Sequence, residues 1–324
     1  MNLADNLSGL ENLIGNSPLY KCTGPGAVYA KLEYHNLMGS IKDRPALYIL
    51  KNAIARGLVG PESTVIESTS GNFGIALAGI CNRLGLKFIP VVDPNITEEK
   101  AAVLRMLSWK VVKVEERDET GGFLLNRIRE VQRLVKTVPG AFNPNQYEND
   151  DNYLCYYHTL GREINNNFGR LDHVFVSVSS GGTITGLSMR LKEKFPRLKI
   201  IAVDVEGSLI FSDKPAVRRL SGLGSSMRTA MIDKALIDEA MVLSQWDIVQ
   251  GCHSLLKEQN ILGGASAGAV FRAMQLFNEK YHINNGGNIN LLIIPDNGSA
   301  YMNSIYNETW VKANIQNIHH EVHK

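Results

Sequence analysis

Short β-branched runs alternate with longer stretches of helical periodicity along most of this chain. The runs fall at 64–67, 87–92, 110–114, 174–178, 199–204 and 290–295. Between them, apolar residues recur three and four apart at 43–56, 75–84, 98–107, 123–135, 153–164, 184–195 and 269–277. Two parallel strands need a long connection that packs back on the sheet, and each of these stretches has the length of a crossover helix. The expectation is an α/β chain with mainly parallel twisted sheets flanked by helices. The turn-rich segment 139–151 (PGAFNPNQYENDD) splits the strands three and three, and it marks the expected junction of two domains. A chain of 324 residues agrees with two domains at roughly 150 residues each.

Composition removes several classes of function. Lys and Arg total 34 against 32 Asp and Glu, so the chain lacks the basic excess of a dedicated nucleic-acid binder. Its 44% hydrophobic and 20% charged content belongs to a folded chain rather than a disordered one. The longest apolar runs, such as 291–294, fall far short of the roughly 20 residues of a membrane helix. Residues 1–20 lack the basic start and apolar stretch of a secretory signal, so a cytoplasmic protein with no membrane partner is expected. Cys22, Cys81, Cys155 and Cys252 stand 59, 74 and 97 apart, which suits neither a disulfide framework nor a CxxC site. They read as reduced structural thiols. His319, His320 and His323 read as a frayed tail, and no metal site is expected.

Loops at strand ends carry the chemistry, because backbone N–H groups at a following helix point outward there. After 64–67 comes Ser68-Thr69-Ser70-Gly71-Asn72-Phe73-Gly74, whose hydroxyls, amide and N–H donors suit a carboxylate. A capping turn is its plain alternative. After 174–178 comes Ser179-Ser180-Gly181-Gly182-Thr183, suited to a phosphate monoester although it is neither a Walker loop nor GxGxxG. The small residues of 263–268 admit a flat ring or a close helix neighbour equally well. Two anion cradles call for an electrophile or nucleophile between them, and a lysine carrying pyridoxal phosphate fits. With no GxSxG elbow and no HExxH pair, hydrolase readings lose support. Lys42, at the start of a helical stretch, is one candidate; a solvated lysine is the alternative.

The run Lys31-Leu32-Glu33-Tyr34-His35-Asn36-Leu37-Met38-Gly39-Ser40-Ile41-Lys42-Asp43-Arg44 resembles the lysine motif of fold-type II pyridoxal-phosphate enzymes, in their cysteine synthase branch. Thr69 to Asn72, Ser179 to Thr183 and Gly264 to Gly268 resemble the substrate-carboxylate, phosphate and pyridine-nitrogen segments of that family, in its order. The resemblance implies pyridoxal phosphate as cofactor, with Lys42 forming the Schiff base and moving the α-proton. It implies Asn72 at the ring oxygen, Ser179, Ser180, Gly181, Gly182 and Thr183 at the phosphate, and Ser266 at the ring nitrogen. Thr69, Ser70 and Gly71 would bind the α-carboxylate of the substrate. It further implies a smaller mobile domain at 37–146, a larger one from 1–36 and 147–324 with the active site in the cleft between them, and a homodimer. The segment from about 93 to 133 would close over the site.

Departures from the cysteine synthase pattern point to a different pocket: Ser68 stands in place of the usual proline, Phe73 in place of threonine, and Ser179-Ser180 in place of Gly-Thr. Leu37 and Leu160 are further departures without an evident reading. The segments 67–72, 203–215, 295–296 and 306–310 are similar to a branch that joins O-phospho-L-serine to L-glutamate through an aminoacrylate, towards 2,3-diaminopropionate and siderophores. On that resemblance Arg127, Tyr147 and Ser179 shape the phosphate subsite, and Arg218, Arg219 and Arg228 stand in reserve. A solvated helix face is the alternative for Arg127. A sulfhydrylase acting on O-acetylserine or O-phosphoserine is the runner-up, and a catalytically silent binding module of this fold is the reading from another class.

Overall fold

A computed structural model describes residues 3–24, 26–69, 71–283 and 287–316. Ser70 and the terminal His319, His320 and His323 lie outside the described residues. Among the described residues there are ten strands: β1 (Leu19–Lys21), β2 (Ala27–Leu32), β3 (Thr64–Ser68), β4 (Lys87–Val92), β5 (Val112–Lys113), β6 (Ala141–Phe142), β7 (His173–Ser177), β8 (Lys199–Val205), β9 (Glu239–Leu243) and β10 (Ile289–Ile294). They form a six-stranded sheet of order β1-β2-β10-β7-β8-β9 and a four-stranded sheet of order β5-β4-β3-β6. Every pairing is parallel except that of β1 with β2. The chain is thus an α/β fold of two units, with parallel sheets flanked by helices.

Alternate side chains of a strand point to opposite faces, so a continuous apolar run is buried on both. In β7, Phe175 enters one core while Val174 and Val176 enter the other, and in β10 Leu292 and Ile294 oppose Leu291 and Ile293. The smaller sheet repeats this with Val65 and Phe88 against Ile66, Ile89 and Val91.

The expected runs correspond to β3, β4, β5, β7, β8 and β10, while β1, β2, β6 and β9 had no expectation. β1 and β6, at three and two residues, are too short to show a period. The helical stretch expected at 153–164 divides into Asp151–His158 and Leu160–Asn167, broken at Thr159, whose hydroxyl donates to Cys155 O at 2.6 Å. Such back-bonding competes with the helix ladder.

Helix Leu3–Glu11 lies in the stretch 1–36 assigned to the larger unit, yet Leu3, Leu7 and Leu10 pack into the smaller sheet's core beside Leu50 and Ile80. The leucines recur at helical spacing, so one face of this segment needed an apolar partner. The boundary 37–146 otherwise encloses β3 to β6. All four cysteines are free and buried. Among the described residues no helix is long and apolar enough to cross a membrane.

Candidate active site

The carboxyl ends of β3, β7 and β10 open onto one cleft, where loops of a parallel sheet collect ligands. Ile41 N–H donates to Pro295 O at 2.8 Å, and Ser40 forms an antiparallel bridge with Asp296. These contacts seat Lys42 at the end of β10, one residue before helix Asp43–Ala55. Lys42, Asn72, Ser179, Ser180, Gly181 and Thr183 line one cavity. Gly222, Ser266 and Asp296 complete its wall. Gly182 is set differently: a Cβ there would fall 2.2 Å from Asn152 Oδ1, so it serves packing at the helix start.

Burial pushes the Lys42 ammonium down, with Cys155 and Asp296 acting in the opposite sense. A lysine with a lowered pKa offers more neutral amine for attack on a carbonyl. Asp296, 3% exposed, accepts from Asn72 Nδ2 and from Tyr301 Oη, each at 2.8 Å. One amide N–H of Asn72 is thereby used and the other is left for the cavity.

Opposite Lys42, Gly181 has φ +93° and leads into helix Gly182–Lys194, so the 179–183 loop presents N–H groups and hydroxyls at a helix N-terminus. Ser266, in the first turn of helix Ala265–Lys280, is 2% exposed. Gly222 has φ +103°, and a Cβ on it would lie 3.0 Å from Ser266 Oγ and 3.3 Å from Tyr301 Oη. The wall beside Ser266 therefore stays open for a flat ring. A primary amine, an anion cradle and a hydroxyl beside a flat slot fit a ring that bears an aldehyde and a phosphate.

Gly268, from the same small-residue segment, meets the neighbouring helix instead: an added Cβ would lie 2.2 Å from Cys252 Sγ. At Gly268 the close-helix reading of that segment holds.

A second cavity of about 1100 Å³ adjoins the first and shares Lys42, Asn72, Ser179 and Gly222 with it. Its charged lining is Lys42, Lys100, Arg127, Arg218 and Arg219 against one acid, Asp93. Arg127 is buried rather than on a solvated face, with Nε 3.1 Å from Asp93 Oδ2. It also faces the Tyr147 hydroxyl, whose pKa burial raises and Arg127 lowers. Arg218 lines the cleft and donates to Ser226 Oγ at 3.0 Å, while Arg219 is exposed on the rim. Arg228 is tied instead to Asp233 and to Ile210 O. All three arginines share one Gly-rich stretch, and the backbone path alone sends them different ways.

Thr69 and Gly71 line the same cleft. Thr69 Oγ1 accepts from Gly74 N–H at 2.9 Å, so this hydroxyl caps the turn, as the plain alternative held. Asp93, Lys100, Gly222, Asp296 and Tyr301 were not anticipated as site residues. Asp296 carried a signal, an acid directly after the last apolar run; Lys100 carried none.

Beneath the carboxylate loop, burial pushes the Glu67 carboxyl up to about 8, with the N–H groups of Asn145 and Gln146 pulling the other way. Between the usual 4.5 and about 8 the folded chain therefore holds a proton that the unfolded chain has lost, and stability falls as pH rises through that window. Glu67→Gln should remove roughly 2–4 kcal/mol of this fall, read from urea unfolding at pH 5.5 and 8. An unchanged slope in the variant would refute the assignment.

The pattern of the pyridoxal-phosphate dependent enzyme family matches residues 10–296. This chain belongs to that family. Solved relatives agree with the geometry. An O-acetylserine dependent cystathionine beta-synthase from Helicobacter pylori is 31% identical with a TM-score of 0.84, over 92% of this chain and 98% of that one. A hydrogen sulfide-producing enzyme from Fusobacterium nucleatum is 30% identical with a TM-score of 0.83, over 90% and 98%. O-ureido-L-serine synthase is 26% identical with a TM-score of 0.84, over 95% and 96%. The chain is a fold-type II pyridoxal-phosphate enzyme of cysteine synthase-like architecture, and the slot beside Lys42 has the chemistry its cofactor requires.

Proposed function

We propose that the chain carries out a β-replacement that joins O-phospho-L-serine and L-glutamate, as an N-(2-amino-2-carboxyethyl)-L-glutamate synthase. The observation that carries this reading is the charge of the second cleft, five basic side chains against one acid in a protein of net charge +2. A phosphorylated amino acid followed by a dicarboxylic one uses such a cleft; an acetyl donor and sulfide need far less of it.

In this reading Lys42 would hold the cofactor through Nζ and then take the α-proton of the donor substrate. Asn72 would meet the ring oxygen, Ser266 the ring nitrogen, and the 179–183 loop the phosphate. The bound cofactor supplies the electron sink that acidifies the α-carbon and lets the β-substituent leave. Thr69, Ser70 and Gly71 would orient the α-carboxylate. Arg127, Tyr147 and Ser179 neutralise charge that grows on the departing phosphate oxygen, where donors act most strongly in a cleft shielded from water. The Cβ–O bond would break with its electron pair on phosphate, a Cβ–N bond would form to the amine of glutamate, which gives up a proton, and Lys42 Nζ would return a proton to the α-carbon.

The test uses protein loaded with pyridoxal phosphate. O-phospho-L-serine should release phosphate, and added L-glutamate should yield a product with the mass of N-(2-amino-2-carboxyethyl)-L-glutamate. Product formation with sulfide but not glutamate would move the assignment to a sulfhydrylase, and absence of phosphate release would remove the leaving group proposed.

A further inference from the structure

Lys100 is a buried cation of the second cleft. It stands in the first turn of helix Glu98–Leu107, where the helix dipole opposes a positive charge, and it is only 7% exposed. Its Nζ reaches Tyr301 Oη at 3.5 Å, with the Tyr301 ring 5.0 Å away. Among the described residues no carboxylate pairs with it directly. Asp296 and Glu99 act on its charge without bonding it, Asp296 past Tyr301, whose hydroxyl donates to Asp296.

Lys100 also keeps donors to spare. An ammonium has three N–H donors, and Tyr301 takes one. Arg127 already has Asp93 and Tyr147, and Arg218 has Ser226. Lys100 lines the cleft together with Asn72, and the contacts Asn72 to Asp296 to Tyr301 to Lys100 run without a break from the cofactor slot. A buried cation with spare donors beside open space is completed by an anion, because desolvation is offset only where an opposite charge arrives.

We propose that Lys100 Nζ receives a carboxylate of the incoming amino acid and so selects an α-amino dicarboxylate over its amide. The inference rests on the reading above, in which the second substrate is L-glutamate. A site built to bond a charged group rejects the analogue without it, since the buried partner is then left unmet.

The experiment compares the loaded wild type with Lys100→Gln and Lys100→Arg. Calorimetric titration should show L-glutamate binding at least about tenfold tighter than L-glutamine to the wild type, and about equally with L-glutamine to Lys100→Gln. Steady-state rates should place most of the Lys100→Gln effect in KM for glutamate, a rise of about 10- to 100-fold, with partial return in Lys100→Arg. A merely structural lysine would lower kcat and melting temperature together and leave the discrimination intact. Equal discrimination in wild type and Lys100→Gln overturns the inference even where the expected product forms. If the wild type makes no product from glutamate, the functional reading fails. The same titration with L-aspartate against L-asparagine then decides the inference, and equal binding overturns it.

Discussion

Lys42→Ala should lower turnover by about 10³-fold or more while the protein still folds, because in the proposed mechanism the change removes both the cofactor's anchoring amine and the base for the α-proton. The fold does not depend on that amine: Lys42 is placed by main-chain contacts, Ile41 N–H to Pro295 O and the Ser40–Asp296 bridge, which alanine at 42 preserves. Removing an ammonium that burial already disfavours costs little stability. Borohydride treatment followed by peptide mass spectrometry should fix the cofactor's mass on the Lys42 peptide of the wild type and nowhere in the variant. Full turnover in Lys42→Ala, or the mass on another lysine, would sink the assignment.

Arg44→Ala is expected to destabilise the protein by about 3–5 kcal/mol, the usual cost of stripping one partner from a buried charge network. Arg44 is 3% exposed and Glu33 is fully buried. Arg44 Nε lies 2.6 Å from Glu33 Oε2, its Nη2 2.8 Å from Glu33 Oε1, and its Nη1 2.7 Å from Glu163 Oε1. Lys31 Nζ closes the set 2.7 Å from Glu163 Oε2. Burial works against the Arg44 charge, and Glu33 and Glu163 overcome it. Burial alone would raise the Glu163 carboxyl, yet Arg44 and Lys31 hold it down at about 2, so the Glu163 pairs persist to strongly acidic pH. Alanine leaves Glu33 buried without its guanidinium. Arg44→Lys should recover only part of the loss, because one ammonium cannot bond both carboxylates in fork geometry. Urea unfolding measures this, and a loss under about 1 kcal/mol would refute the network's role.

The network explains why the lysine motif is more than a lysine. Lys31 and Arg44 reach Glu163 from two points of one sequence run, and so tie β2 and helix Asp43–Ala55 to helix Leu160–Asn167. The segment 31–44 was legible as a motif. That its charges meet Glu163, over a hundred residues on, was not, because charge pairing between distant elements leaves no local periodicity.

Other parts of the site divide in the same way. Both glycine- and serine-rich loops were visible because each follows an apolar run and precedes a helix, a pattern set by local backbone chemistry. Thr69 was read as a substrate donor from its residue type, and only its 2.9 Å contact with Gly74 N–H reveals that it caps its own turn. Arg127 and Arg228 were both open to a functional reading, and burial against Asp93 on one side and pairing with Asp233 on the other separate them.

By itself the sequence determined the alternating α/β plan and the order of the loops at its strand ends, because period, turn chemistry and motif spacing are properties of neighbouring residues; Lys42 stood out only through resemblance to a family motif. The tertiary structure decided which side chains share the cleft. Asp296 and Tyr301 lie about two hundred residues from Lys100, and they meet because the segment that follows β10 reaches the start of helix Glu98–Leu107. Burial then sets the charge of each group there. A residue's solvent exposure is fixed by what folds over it, and no stretch of sequence around Lys100 records that Tyr301 will be its only close partner among the described residues.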